Sequence, residues 1–153
     1  MEIGVVMATT RPKFWSPTAD LADHIDSHNS AIASTIVYPA YLGTQSADFT
    51  TAIYIPRYKL TYVGAGLVVN TTITTSTTAY WTIQIYQLID GRERLLGELI
   101  TNTRNITQYE LTNINKDQDI SVNAEYPVFI KGTKTGAPSN LVNLYCDILI
   151  RLQ

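Results

Sequence analysis

Apolar and polar residues alternate with a period of two over most of the chain after residue 48. In residues 79–89, AYWTIQIYQLI, the apolar Trp81, Ile83 and Ile85 would share one face of a strand. Residues 141–152, LVNLYCDILIRL, alternate in the same way and form the most apolar segment, so they predict a central strand. The pattern predicts seven strands, with residues 35–43 as a further extended segment: 49–55, 59–73, 79–89, 94–103, 107–114, 119–135 and 141–152.

Turn signals separate these segments, and no helical segment lies between them. Asp90-Gly91 between two apolar runs predicts a tight hairpin. Gly64 and Gly66 inside one strand predict a bulge or a bend. The run TTITTSTT (71–78) predicts a hairpin loop. Seven or eight strands at short spacing predict an all-β fold, an antiparallel β-sandwich.

The chain before the sandwich has a different pattern. Leu21, Ile25, His28 and Ile32 are spaced by four, three and four residues, which places them on one stripe of a helix. A helix this short is not stable alone, so the stripe predicts packing, either on the sandwich or around a three-fold axis in a homotrimer. The chain is therefore divided into three segments: an N-terminal arm (1–17), a short helix (18–34) and a β-sandwich domain (35–153).

Both histidines of the chain, His24 and His28, lie in this helix, one turn apart. Such a pair can share a divalent ion, but no third histidine or cysteine is near in the sequence. Structural packing of His28 in the seam is the favoured interpretation. An axial ion at His28 is the alternative, and catalysis is disfavoured because no nucleophile has a suitable spacing.

The arm combines positive charge with aromatic rings. Arg11, Lys13, Phe14 and Trp15 lie close together in it, a combination typical of an anchoring contact with a partner. The alternative is that Phe14 and Trp15 pack back on the body of the protein.

Composition narrows the function classes. Only 16% of residues are charged and the net charge is −2, so the sequence predicts neither a nucleic-acid partner nor a membrane-surface partner. No apolar run approaches 18 residues, and no secretory signal is recognised at the N-terminus. Synthesis in a cytoplasm is expected. The single cysteine, Cys146, lies in an apolar strand and is expected to be a buried small hydrophobe.

The sequence contains no recognisable catalytic motif, and we expect neither an enzyme nor a cofactor. Glu93 and Glu98 flank a turn and are interpreted as solvated residues. Three tyrosines, Tyr80, Tyr86 and Tyr109, either stack on sugars or pack across strands, and packing is the favoured interpretation.

The order of features resembles one family of proteins. A helix containing DHIDSHN (23–29) precedes a strand with Gly66 to Asn70, and a later strand ends in Lys131 to Gly136 before the final apolar strand. Over residues 20–153 this is similar to the jelly-roll domains of tailed-bacteriophage structural proteins: capsid decoration (cement) proteins, head fibres, and tail or baseplate appendages.

The resemblance implies a homotrimer with a virion role. We expect a decoration protein that binds the mature phage head through the major capsid protein and stabilises it. Trimer contacts would come from Leu21, Ile25, His28 and Ile32, and capsid contacts from the arm. The alternative is a head-fibre or tail-appendage module that binds a carbohydrate or receptor on the host surface.

Overall fold

The computed structural model describes residues 35–114 and 119–152. These residues form nine strands and contain no helix. All strand pairs are antiparallel, and the strands form two sheets, so the predicted all-β antiparallel β-sandwich is confirmed. The strands are β1 (Ile36–Gln45), β2 (Phe49–Tyr54), β3 (Leu60–Val68), β4 (Tyr80–Ile89), β5 (Arg92–Ile100), β6 (Thr112–Ile114), β7 (Ile120–Val122), β8 (Val128–Thr135) and β9 (Leu141–Leu152).

Strands that follow one another in sequence often lie in different sheets. The five-stranded sheet has the order β1-β9-β3-β6, and β7 also pairs with β3. The four-stranded sheet has the order β2-β8-β4-β5. Strand β9 is paired on both sides, with β1 and β3, so the predicted central position of the last strand is confirmed.

The core lies between the two sheets and follows the predicted alternation. Trp81, Ile83 and Ile85 are fully buried on the inner face of β4. On β9, Cys146 is fully buried, as expected, whereas the terminal Leu152 is half exposed. The indole N–H of Trp81 donates a hydrogen bond of 2.8 Å to the carbonyl of Ser139, so the polar group of the largest core side chain has a hydrogen-bond partner.

Two predicted irregularities are confirmed. Asp90 and Gly91 have φ values of 49° and 77°, as the tight hairpin turn between β4 and β5 requires. The register between β3 and β9 shifts between Tyr62 and Gly64, which is the bulge that the strand glycines predict.

Three predicted segments differ from the structure. Residues 119–135 form two strands in different sheets, because the chain turns at Glu125 (φ 66°) and Pro127 has no N–H to donate to a ladder. Of residues 107–114, only the last three form a strand, β6. The run 71–78 is not a hairpin loop, since it links β3 and β4 in opposite sheets. The buried Ile73 in this run bridges to Ile106.

The predicted arm (1–17) and helix (18–34) lie outside the described residues. Within residues 35–114 and 119–152, no helix is long and apolar enough to cross a membrane.

Candidate functional site

The residues that the sequence singled out for contacts all precede the described part of the chain. The seam and arm positions, with His24, are outside it: Arg11, Lys13, Phe14, Trp15, Leu21, Ile25, His28 and Ile32. These predictions therefore remain predictions. Within the described ranges, no three His, Cys, Asp or Glu side chains come close enough to hold a metal ion.

The two glutamates considered in the sequence analysis, Glu93 and Glu98, have different partners. Glu93 forms an ion pair with Lys131 at 3.3 Å, and Glu98 accepts a 2.6 Å hydrogen bond from the amide of Gln84. Burial raises the pKa of the Cys146 thiol to about 12, so the thiol stays protonated at neutral pH and is a poor nucleophile.

One cavity combines aromatic rings with amides. It has a volume of about 270 Å³ and opens on the outer face of the five-stranded sheet. We call it the tyrosine pocket. Its lining residues are Tyr41, Val68, Val69, Asn70, Tyr109, Asn143 and Tyr145.

The floor of the tyrosine pocket comes from the pairing of β1 with β9. Tyr41 and Tyr145 are directly opposite each other in this antiparallel pair, which puts their side chains on the same face of the sheet. Their ring centroids are 4.6 Å apart, and the ring planes are tilted by 38°. Tyr41 is 60% exposed and Tyr145 48% exposed, so both rings present aromatic surface to solvent.

A bulge beside this pair positions an amide. The β1–β9 register shifts on both sides of Gly43, and Asn143 has a φ of 48°. The N–H of Asn143 donates to the hydroxyl of Thr44 at 3.2 Å, and its Oδ1 accepts a 3.1 Å hydrogen bond from the hydroxyl of Tyr41. Bulges commonly redirect a side chain in this way, and here the redirected group is the amide of Asn143.

The wall of the pocket comes from the segment before β6. Tyr109, 69% exposed with a φ of 60°, donates its N–H to the carbonyl of Val69 at 2.9 Å. The neighbouring Gln108 donates to Oδ1 of Asn70 at 3.0 Å. These two hydrogen bonds hold residues 108–109 against the end of β3.

A strand glycine lets this segment approach the sheet. A Cβ at Gly66 would lie 2.5 Å from Cδ1 of Leu111, so the Leu111 side chain would have to move if any other residue replaced Gly66. Gly66 thus leaves room for the side chain of Leu111, two residues after the wall residue Tyr109.

The sequence located this site only in part. Tyr109 was one of three candidate sugar-stacking tyrosines, and it lies at the pocket. Tyr86 is 5% exposed and stacks on Phe129 at 5.3 Å, which is the cross-strand packing favoured for it. Tyr41 and Tyr145 were missed, although Tyr145 falls on the polar face of the β9 alternation, which was the signal for an outward ring.

A second surface lies at the start of β1. Ile36 and Tyr38 pair with Ile150 and Ile148, which are in the core, so they face the space between the sheets. They are nevertheless 39% and 43% exposed. The sandwich is thus open along this edge.

Other exposed apolar side chains lie near this edge. The centroid of the Tyr38 ring lies 4.3 Å from that of Tyr54, and Ile55, which follows Tyr54, is 61% exposed. Val37 is 53% exposed but pairs with Leu149, so it projects from the opposite face of β1. We call Ile36, Tyr38 and Ile55 the edge patch. Exposed apolar edges of this kind are sites of association.

Comparisons with known proteins identify no family. The chain matches no protein-family model, and no curated protein matches it. Among solved structures it is similar to the CBM22-1–GH10 modules of endo-1,4-β-D-xylanase 10B of Clostridium thermocellum, complexed with xylohexaose, with 10% identity and a TM-score of 0.32. That match covers 79% of this chain and 26% of the xylanase chain.

A second similar structure is that of infectious bursal disease virus, Gx strain. The identity is 11% and the TM-score 0.33, over 78% of this chain and 32% of the viral chain. The chain spans less than a third of the length of either of these two proteins.

Proposed function

We propose that the chain is a virion structural protein, a trimeric capsid decoration (cement) protein that binds the mature phage head and stabilises it. The strand order is the observation that supports this proposal. Two four-strand paths, β1-β9-β3-β6 and β2-β8-β4-β5, with the chain passing repeatedly between them, are the arrangement of a jelly roll. Double-sheet jelly rolls are the fold of many viral capsid and lectin domains.

The edge patch supports self-association. Ile36 and Tyr38 face inward yet stay more than a third exposed, so this edge offers apolar surface for contact with another copy of the chain. The predicted seam helix ends at residue 34, two positions before Ile36. The trimer itself would be assembled by the predicted seam residues Leu21, Ile25, His28 and Ile32.

Stabilisation of the head would then follow from binding preference. A protein that binds the closed, mature shell and not its opened form shifts the equilibrium toward the closed form by mass action. A trimer that bridges neighbouring capsid subunits through its three arms adds interface area that must be lost before the shell opens. The partner is the major capsid protein, and the location is the capsid surface after synthesis in the host cytoplasm.

The number of copies in each particle tests the proposal. Quantitative mass spectrometry of purified virions, calibrated on the major capsid protein, should find copies on the scale of the capsid lattice. A few trimers per particle would contradict a cement role and indicate an appendage. A complete absence of the chain from virions would contradict any virion role.

A second candidate is a head-fibre or tail-appendage module that contacts the host surface. The tyrosine pocket favours it, because a decoration protein does not need an exposed aromatic site on the outer face of its sheet. Low copy number together with loss of adsorption after deletion of the gene would support this candidate. High copy number with normal adsorption would contradict it.

A further inference from the structure

We propose that the tyrosine pocket binds one uncharged pyranose ring of a glycan. This inference goes beyond the decoration role and does not depend on it, since the pocket is formed by residues of one described sandwich. A decoration protein with such a site would add adhesion to a sugar-coated surface to its stabilising role.

The aromatic surface suits the apolar faces of a sugar ring. Tyr41 and Tyr145 form a tilted pair of half-exposed rings at the floor, and Tyr109 stands at the wall with 69% of its surface exposed. A pyranose has faces made of C–H groups and a rim of hydroxyls. A tyrosine side chain can therefore pack its apolar ring face against the C–H face of the sugar and offer its hydroxyl to the sugar hydroxyls.

The polar groups suit the hydroxyl rim. Oδ1 of Asn143 is occupied by the Tyr41 hydroxyl at 3.1 Å, which fixes the orientation of the amide and leaves its Nδ2 directed away from that bond as a donor. The Tyr41 oxygen, having donated its proton to Asn143, can still accept a hydrogen bond. The pocket thus presents an oriented donor and an oriented acceptor beside the ring pair.

The absence of charge in the lining selects against ionic ligands. The seven described lining residues are tyrosines, valines and asparagines, with no Asp, Glu, Lys or Arg among them. A carboxylate or phosphate in this site would lose water without gaining a counter-ion, which is costly. The volume of about 270 Å³ lies just below the ~300–1,000 Å³ of drug-sized sites, so the pocket is suited to one ring.

Two residues of the pocket have a strained backbone. Four non-glycine residues in the described ranges have positive φ: Asp90, Tyr109, Glu125 and Asn143. Asp90, Tyr109 and Glu125 lie at chain turns and Asn143 lies within β9, and of these Tyr109 and Asn143 line the pocket. A bulky tyrosine at φ 60° is an uncommon conformation, and strained residues cluster at ligand sites because the surrounding structure holds the site ready for its ligand.

The test is a titration of the purified full chain, followed by NMR, with methyl glycosides of glucose, galactose, mannose and N-acetylglucosamine. At least one should bind with a Kd on the order of 1 mM, because a single small ring in an open site makes few contacts. Methyl glucuronide, the charged counterpart of the glucoside, should bind at least ~10-fold more weakly than the best neutral ligand.

Two variants locate the binding. Tyr145→Ala should abolish it by removing half of the ring pair. Tyr41→Phe keeps the ring and removes only the hydroxyl that orients Asn143, so it should weaken binding several-fold in a protein that still folds. Tyr58→Ala removes a tyrosine that is more exposed (72%) but does not line the pocket, and it should bind like the wild type.

Three results would overturn the inference. The first is that none of the four neutral glycosides binds at ~20 mM, well above the expected Kd. The second is that Tyr145→Ala and Tyr41→Phe both bind as tightly as the wild type. The third is that the glucuronide binds as well as the glucoside. Since these measurements use the isolated chain, they stand or fall separately from the copy number that tests the virion role.

Discussion

The side-chain amide of Gln87 and the backbone of Asn123 exchange two hydrogen bonds. Nε2 of Gln87 donates to the Asn123 carbonyl at 2.7 Å, and Oε1 accepts from the Asn123 N–H at 3.0 Å. The same Nε2 also donates to the carbonyl of Tyr126 at 2.9 Å. Gln87 is fully buried, so this one side chain satisfies backbone groups in the connection where the chain passes from β7 in one sheet to β8 in the other.

Replacement of Gln87 should therefore be costly. We expect Gln87→Met to lower the free energy of unfolding by ~2–3 kcal/mol, because it leaves buried backbone groups without partners. Urea denaturation measures the loss. Gln84→Met is the matched control: Gln84 and its partner Glu98 are both only half-buried, so water can replace the lost hydrogen bond and the change should cost less than ~1 kcal/mol. Equal losses in the two variants would contradict the role assigned to Gln87.

A buried hydroxyl has a similar role at the other end of β4. The backbone N–H of Trp81 donates to Oγ1 of Thr101 at 2.9 Å, and Thr101 is fully buried. Thr101→Val keeps the shape but removes the acceptor, so it should cost ~1–3 kcal/mol in thermal or urea unfolding. Thr51→Val, at an exposed strand position, should change stability by less than ~0.5 kcal/mol. If Thr101→Val left the stability unchanged, the N–H of Trp81 would have found another hydrogen-bond acceptor.

The burial of most strand residues can be predicted from the local alternation of apolar and polar residues. The sheet that each strand joins cannot be predicted in this way. Trp81, Ile83 and Ile85 alternate with polar residues, so their burial follows from the pleat alone. The division of 119–135 into β7 and β8 is not visible in the same way, because the apolar and polar residues continue with little interruption up to Pro127. Which sheet each half joins depends on contacts with β3 and β4, which are distant in sequence.

The tyrosine pocket escaped prediction for the same reason. Tyr41 and Asn143 are 102 residues apart and meet only because β1 pairs with β9 in one register. The glycine of the β1–β9 bulge, Gly43, lies on the opposite strand, so nothing in the sequence around Asn143 indicates the irregularity. Tyr109 was a candidate on its residue type, but its φ of 60° places it in a turn before β6, within the segment 107–114 that was predicted as one strand.

Stability should fall in alkaline solution because of Cys146. Burial raises the pKa of its thiol from 9.0 to about 12, so the folded protein favours the protonated form. Below pH 9 the thiol is protonated in both the folded and the unfolded protein, so its full contribution to the free energy of unfolding is present. As the pH rises above 9 the unfolded thiol ionises and the folded one does not, so the free energy of unfolding should decrease by up to ~1.4 kcal/mol per pH unit.

Urea denaturation at pH 8, 9 and 10 measures this slope. Burial also raises the pKa of Tyr62, but tyrosine adds its own effect only above its ordinary value of 10.0, so the interval from 9 to 10 reports mainly on Cys146. In Cys146→Ala, the free energy of unfolding should fall less steeply with pH over that interval. The slopes are compared, and not the absolute stabilities of the two proteins. An unchanged slope would rule out the thiol as the cause.

The proposed trimer seam is testable by a single charge. Ile25→Asp places a carboxylate in the predicted stripe, so it should convert the trimer to monomer or aggregate, as measured by light scattering. Ser30→Asp adds the same charge half a helical turn away from the stripe and should leave the trimer intact. A trimer that survives Ile25→Asp would contradict the seam.

The arm should carry the contact with the capsid. Deletion of residues 1–15 removes Arg11, Lys13, Phe14 and Trp15 and should abolish cosedimentation with mature capsids that lack the protein, while light scattering still reports a trimer. Since buried aromatic anchors carry much of the energy in protein interfaces, Phe14→Ala with Trp15→Ala should weaken binding by at least ~10-fold in an arm of full length. Arg11→Ser with Lys13→Ser should act mainly through the association rate, and more strongly at low salt. Capsid binding retained by the deletion variant would show that another surface makes the contact, and the edge patch would be the next to substitute.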